Sequence, residues 1–324
     1  MKKKLDIIVV GELNVDLILL GLPSLPEMGQ CKLSKDVQFT LGSASAIFAS
    51  NIARLGKKVG FVGKIGDDEF GDFILESLKK QHVDTSHIIK DKNGKTGICV
   101  SLSFPDNYAM ASYAGVREMM SIADVDFEYV NSASHLHMSS YFLQPSMKEG
   151  CPELFRKARE NGLSTSLDPD SDPTNTWSNS IYQVLDYVDI FLPNEREALK
   201  ITGGDNTLSA LDILAERVNT VAIKRSKEGV IVQNKDQRLS AEAFKIEVVD
   251  TTGAGDSFNA GFIYQYLNKA RIEECVIWGN ACAAISTTRA GGTTAFPTPQ
   301  EATNFIKKRN VEMKGLIKYS GSSM

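Results

Sequence analysis

The sequence predicts an α/β protein, a three-layer α/β/α core with a mainly parallel sheet and a small second β-sheet as a lid. Three observations lead there. Short apolar runs alternate with helix-period segments along most of the chain, the rhythm of βα units. Two stretches, about 13–40 and 96–115, break that rhythm with strand-like alternation. The 324 residues show no internal repeat and suit one large α/β domain with an insertion, or two domains.

The runs 6–10, 59–62, 135–138, 164–167, 189–192 and 221–223 read as strands, and 44–55, 70–80, 147–161 and 195–202 as helices. In the first irregular stretch Asp16 opens an apolar run, Pro and Gly mark a turn over 22–29, and alternation resumes towards Phe39. The second turns at Pro105, Asp106 and Asn107. Both read as strands of a separate sheet over the carboxyl edge of the main one. The segment 314–324 reads as a flexible tail.

Composition narrows the function. The chain is 42% hydrophobic and 23% charged with a net charge of −4, so nucleic acid is not the expected partner. Lys2, Lys3 and Lys4 read as a solvated terminus. The five cysteines (Cys31, Cys99, Cys151, Cys275 and Cys282) are scattered without a CxxC, which suggests neither disulfides nor a zinc site. No apolar run is long enough to cross a bilayer, so no membrane partner and a cytoplasmic location are expected.

The chemistry concentrates in Asp250-Thr-Thr-Gly-Ala-Gly-Asp-Ser-Phe-Asn-Ala-Gly-Phe262. Phe244, Ile246 and Val248 alternate before it and predict a strand; Phe258, Phe262 and Tyr266 follow at helical spacing. A glycine-rich turn at a helix start presents backbone N–H groups to an anion. Gly253 and Gly255 let a phosphate approach the main chain. Asp256 would repel that phosphate; it makes sense as a base taking the proton of a hydroxyl that attacks phosphorus. Around it the amides of Ala254, Gly255 and Asp256 would stabilise the transferring group. The plainer reading is a helix cap. Gly94-Lys95-Thr96 ends like a P-loop, but Ile89 stands at its first glycine position. Gly253-Ala-Gly255 begins like a dinucleotide fingerprint, but Phe258 takes the third glycine position.

On these residues the chain resembles the ribokinase-like (PfkB) carbohydrate kinases. The likeness runs from Val10-Gly-Glu-Leu-Asn-Val-Asp16 through Leu41–Gly56, Val62–Gly71, Pro193-Asn-Glu-Arg-Glu197, the Asp250 motif and Arg289-Ala-Gly-Gly292. It implies ATP-dependent phosphorylation of a sugar or related alcohol, with Asp256 as base and Gly253, Ala254 and Gly255 as anion hole. It implies that Asn194 and Glu197 order Mg²⁺ and its waters, although the same pair reads as a helix cap. Asp16 matches a ligand of the substrate hydroxyls, with Asn14, Gly42 and Ser43 near it. Lys224, Ser226, Gly229 and Asn280 match nucleotide contacts, with Ser226 where a glycine is common. Asp250 with carbonyls of Thr252, Ser286 and Arg289 matches a monovalent cation site, which permits K⁺. A homodimer through the lid is also implied.

The pattern departs at Ile47, where the family usually carries an asparagine that bonds a substrate hydroxyl. Isoleucine cannot make that bond, and an unmet hydroxyl costs about 1–3 kcal/mol. Asp168-Pro-Asp170 lacks the arginine that often follows, which argues against an acidic sugar. His135 and His137 share a strand face and read as buried polar side chains rather than metal ligands. Tyr113, Tyr141 and Phe104 are candidate pocket walls. The alternatives are a nucleoside kinase of the same fold and a non-catalytic ligand-binding or regulatory relative.

Overall fold

Alternation along the first strand sets the layers. In the computed structural model, which describes residues 4–104, 108–309 and 317–319, β1 (Leu5–Val10) turns Ile7 and Val9 to one face and Ile8 and Val10 to the other. All four are fully buried, as expected for a parallel strand covered by helices on both faces.

The later strands are β2 (Asn14–Leu20), β3 (Asp36–Leu41), β4 (Val59–Gly66), β5 (Asp84–Asp91), β6 (Gly97–Ser103), β7 (Tyr108–Tyr113), β8 (Ala133–Met138), β9 (Ser164–Leu167), β10 (Ile190–Phe191), β11 (Thr220–Lys224), β12 (Val230–Asn234), β13 (Gln237–Ala241) and β14 (Ile317–Tyr319). The helices are α1 (Ala44–Arg54), α2 (Glu69–Lys80), α3 (Phe127–Val130), α4 (Pro145–Lys148), α5 (Cys151–Glu160), α6 (Ile181–Leu185), α7 (Glu195–Thr202), α8 (Thr207–Ala215), α9 (Ala254–Leu267), α10 (Ile272–Ser286) and α11 (Pro299–Lys308). The Ile7 face packs against α1, α2, α9, α10 and α11. The Ile8 face packs against α3 to α8.

The main sheet has the order β14-β13-β12-β11-β10-β9-β8-β1-β4-β5. From β5 to β11 it is parallel, and β12, β13 and β14 extend it antiparallel. The chain leaves β1 towards β4 and β5 and returns on β1's other side at β8. Open α/β sheets bind ligands beyond the carboxyl ends at such a reversal. Glu12, Ser140, Asp168, Asn194 and Lys224 stand there, at or just past the ends of β1, β8, β9, β10 and β11.

The second sheet, β3-β2-β6-β7, has two unlike faces. Its register aligns Leu41, Val15, Ile98 and Tyr113 on one face, followed by Phe39, Leu17, Val100 and Ala111. The other face carries Thr40, Asp16, Cys99 and Ser112 in one row. Period-2 alternation thus separates an apolar face, whose Val15 and Leu41 join the core and whose Phe39 meets Phe70 and Phe73 of α2, from the face that carries Asp16. The strands fall within the two irregular stretches of the sequence; the turn expected at 105–107 lies outside the described residues, as do Lys2 and Lys3.

Three expectations need correction. The helix expected over 147–161 is two helices, α4 and α5, because Gly150 packs against Ile122 and Pro152, in the first turn of α5, has no N–H to continue the ladder. No strand forms at Phe244, Ile246 and Val248: β13 ends at Ala241, and the following backbone lies outside the sheet. Phe244 instead meets Phe305 and packs with Ala281 and Ala284, while Val248 is 54% exposed. Much of the expected tail lies outside the described residues, but within it Ile317–Tyr319 pairs with β13, whose free edge offers unpaired backbone groups.

His135 and His137 are fully buried and threaded on serines. His135 meets Ser164 and Ser166, each at 2.7 Å, and His137 meets Ser166 at 2.7 Å and Ser139 at 2.9 Å. His137 also stacks on Phe48 at 3.7 Å. No metal-holding group of three or more His, Cys, Asp or Glu exists among the described residues. Burial lowers the His135 pKa to about 3 and holds His137 well below its usual value. A buried neutral histidine stabilises the fold above the unfolded-state pKa near 6.5, and that stability is lost as pH falls. Between pH 6.5 and pH 5 the stability gap between wild type and His135→Gln should shrink by about 2 kcal/mol, read by urea unfolding at both pH values.

Candidate active site

The glycine-rich turn enters α9 with Gly253 at φ 70°, the left-handed region that favours glycine. A Cβ there would press on Gly292 at 2.7 Å and Ile47 at 3.2 Å. A Cβ at Gly255 would stand 3.4 Å from the Lys224 ammonium. The helix start, with its unpaired N–H groups and positive dipole end, therefore faces a lysine, and both favour an anion. The Ala254 N–H itself donates to the Thr251 carbonyl at 3.1 Å.

Asp256 occupies the first turn of α9, partly accessible from the cleft but surrounded by acids. Burial raises its pKa well above the usual carboxylate value; Asp168, Asp170 and Glu12 add to the effect and Lys224 opposes it. Lys224, at the end of β11, donates to Asp168 at 2.6 Å and Asn259 at 3.3 Å, and Asn259 donates to Asp168 at 2.5 Å. α9 and the ends of β9 and β11 thus meet on one buried ion pair.

Asn194 and Glu197 close the cluster from α7. The Asn194 N–H and Nδ2 donate to the Glu197 carboxylate at 2.8 and 2.5 Å, and Glu197 N–H donates back to Asn194 Oδ1 at 2.9 Å. This is the capping box that the sequence also allowed. It coexists with an acid in need of a counter-charge. Glu197 is 4% exposed, and burial, then Asp168, raises its pKa to about 8 against the pull of Lys224.

The second group of predicted residues gathers beneath the small sheet. Asn14 Nδ2 donates to Asp16 Oδ1 at 2.9 Å, and Gly42 lies so close to both that a Cβ would collide with them. Ser43 stands at φ 70°, which explains why a glycine pair suits this place. Its hydroxyl donates towards Glu12 and accepts from Ala46 N–H at 3.0 Å, capping α1. Burial raises the Asp16 pKa to about 7, against the Asn14 hydrogen bond and the nearby Arg117.

Ile47 is buried on α1, packed against Gly253 and Gly292 with its Cδ1 within 2.7 Å of the Gly292 Cβ direction. It wedges the anion loop. Asp250 clamps the same loops, accepting from Thr252 N–H and Oγ1 at 2.9 and 2.8 Å and from Gly291 N–H at 2.8 Å. Ser286 ends α10, and Arg289 lies on the loop that follows. Ser226 has φ 52°, the conformation that favours the glycine expected there, and Gly229 packs on the Ala241 carbonyl with no room for a side chain. Asn280 donates to the Glu242 carbonyl at 3.1 Å and so ties down the segment after β13.

Two of the aromatic candidates sit elsewhere. Tyr141 is fully buried and bonded to Ser180 at 2.9 Å. Tyr113 lies on the apolar face, opposite Asp16, beside a cavity of about 360 Å³ lined also by Phe70, Thr96 and Ile98. Phe104 is partly buried just past β6.

Two charged residues absent from the sequence reading also belong to the site. Glu12, 2% exposed, accepts from Ser45 Oγ at 2.6 Å, Ser43 Oγ at 2.9 Å and Ser140 Oγ at 3.0 Å. Ser140 Oγ also lies 2.9 Å from Asp170 Oδ2. Arg117, 7% exposed, donates to Asn14 Oδ1 at 3.0 Å. A glutamate in an apolar strand end was the available signal for Glu12; nothing local marked Arg117.

With this geometry in place, comparison with known proteins identifies the class. The family model described as pfkB family carbohydrate kinase matches residues 4–299. The chain belongs to the pfkB family of carbohydrate kinases. It is 28% identical to the ribokinase of Haemophilus influenzae over 95% of this chain and 99% of that one. It is 30% identical to the 5-dehydro-2-deoxygluconokinase of Geobacillus thermodenitrificans over 94% of each. The structure of Arabidopsis thaliana ribokinase complexed with ribose and ATP aligns with a TM-score of 0.81 at 24% identity, covering 94% of this chain and 99% of that one. The fold is therefore ribokinase-like and the protein a kinase. Among the described residues no helix is long and apolar enough to cross a membrane.

Asp16 gives a signature that can be read without knowing the sugar. A carboxyl whose folded pKa is raised destabilises the fold as pH rises from its unfolded value towards 7. Asp16→Asn should therefore raise the melting temperature of the ligand-free protein at pH 8 and leave it nearly unchanged at pH 4, a contrast that differential scanning fluorimetry resolves.

Proposed function

We propose that the protein transfers the γ-phosphate of ATP to a hydroxyl, most naturally a hydroxymethyl group, of a sugar or sugar derivative, with Asp256 as general base. The observation that carries this reading is the half-buried Asp256 carboxylate beside a helix N-terminus and the Lys224 ammonium. A carboxylate with raised proton affinity suits a base that holds a hydroxyl proton while the oxygen attacks phosphorus. The bond to the bridging oxygen of ADP breaks as the new P–O bond forms. The amides of the Gly253–Gly255 turn other than that of Ala254, which Thr251 holds, stabilise with Lys224 the negative charge of the phosphoryl group in flight. Asp16, Asn14, Gly42 and Ser43 hold the sugar on the polar face of the small sheet. That sheet acts as a lid excluding water, so phosphate passes to sugar rather than to water.

ATP would lie against Lys224, Ser226 and Gly229, with Asn280 fixing the segment beside them. Magnesium fits the donor set: Glu197 is a buried acid beside Asp168 with more negative charge around it than Lys224 offsets. Asn194 and Glu197 would hold it through waters, and bound with ATP it would neutralise charge on the phosphates. A monovalent cation such as K⁺ would rest on carbonyls of Thr252, Ser286 and Arg289 with Asp250 behind them. The β3 edge of the small sheet supports a homodimer, since Val37 is 54% exposed there and Phe39, which packs on Phe70 and Phe73, is still 43% exposed. A soluble cytoplasmic enzyme without nucleic-acid or membrane partners is the matching setting.

Two experiments test this. With Mg-ATP and a panel of pentoses, hexoses, sugar acids and nucleosides, one sugar should stimulate ADP formation. Asp256→Asn should cut that rate at least ~10²-fold with the fold intact by circular dichroism; an undiminished rate removes Asp256 as base. Sedimentation velocity should find a dimer that Val37→Asp converts to monomer; a wild-type monomer refutes the lid interface.

A further inference from the structure

Arg117 stands on a single 3₁₀ turn, Gly115–Met119, directly after β7 of the small sheet. Its guanidinium reaches back across 103 residues of sequence to Asn14 Oδ1. An arginine side chain can only donate, so this bond fixes which end of the Asn14 amide faces it. The amide nitrogen must then face the other way, where it donates to Asp16 Oδ1 at 2.9 Å and to the Val15 carbonyl at 3.3 Å. Were the amide reversed, its oxygen would oppose the Asp16 carboxylate.

The arginine is costly where it stands. It is 7% exposed, and its Nε finds no partner among the described residues. Buried guanidinium groups are rarely left so poorly bonded. Its charge supplies the reason. The groups acting on Asp16 come from every side: Asn14 on its own strand, Arg117 from the 3₁₀ turn, Glu12 from the end of β1, Asp250 from the loop before α9 and Cys99 from β6. Within that set Arg117 is the cation, and it faces Glu12 as well.

We infer that Arg117 is a positioning residue of the sugar site, orienting the Asn14 amide and keeping Asp16 a charged acceptor for substrate hydroxyls. The inference rests on the reading of Asp16 as sugar ligand given above. It deepens it by naming what makes a buried carboxylate usable for that purpose. The acids around Arg117 outnumber it, so a site so arranged favours neutral polyols over acidic sugars.

The test is steady-state kinetics on the full chain with the best sugar of the panel, comparing wild type with Arg117→Met, Arg117→Lys and Asp16→Ala. Arg117→Met should raise the sugar KM at least ~10-fold while kcat stays within ~3-fold and the ATP KM is unchanged, the pattern of lost sugar binding. It should also move the acidic limb of the kcat/KM profile to higher pH. Arg117→Lys restores charge without the planar fork, so the limb should return towards wild type while the sugar KM stays at least ~5-fold raised. A folded Arg117→Met with wild-type sugar KM and pH limb overturns the inference. If that variant does not fold, Arg117→Lys decides: a raised sugar KM supports the role and a wild-type value overturns it. Asp16→Ala separates the two levels. Unchanged sugar KM there sinks the sugar-site reading itself, whereas a raised value beside a wild-type Arg117→Met sinks only the inference.

Discussion

The ammonium of Lys224 meets Asp168 at 2.6 Å at the carboxyl edge of the sheet, where the topology has also gathered Asp170, Glu197, Asp256 and Glu12. Ion pairs at this depth add little stability over an apolar pair, yet removing one partner is costly because the other charge is left buried. Here the asymmetry is sharper, since several acids lean on one lysine. Burial and the neighbouring acids accordingly raise the pKa values of Asp256 and Glu197. A site short of positive charge suits the magnesium-bearing ATP proposed above. The strands, the α7 cap and the start of α9 are all placed so that this pair can form.

Much of this was legible in the sequence. Alternating apolar runs placed the core strands, and the glycine-rich turn with Asp256 marked the start of α9 and the proposed phosphate end, because both are local patterns. Ser43 and Ser226 illustrate what the family pattern encodes physically. Each sits at positive φ, where glycine is easiest, and each is followed by a tight turn or helix start. Asn194 and Glu197 were readable in two ways, and the structure shows the capping box, with Glu197 a buried acid beside Asp168.

What the sequence concealed depends on distance along the chain or on the absence of a neighbour. Arg117 carried no local signal because its partner lies at Asn14. Phe244, Ile246 and Val248 alternate like a strand, but no strand edge is available to them after Ala241, and helices α10 and α11 take two of the side chains instead. Ile47 was read as a gap in substrate recognition. Its position against Gly253 and Gly292 shows a packing role that a single sequence could not reveal.

Ser140 leaves a final point about the protons themselves. Its hydroxyl lies between Glu12 and Asp170 at 3.0 and 2.9 Å, with one hydrogen to give and two carboxyls to face. It can satisfy both only by donating to one and accepting from the other, so one of the two acids carries a proton whenever the network is complete. The bridge therefore has a polarity, pointing towards either Glu12 or Asp170. Reversing it requires two hydrogens to shift in concert.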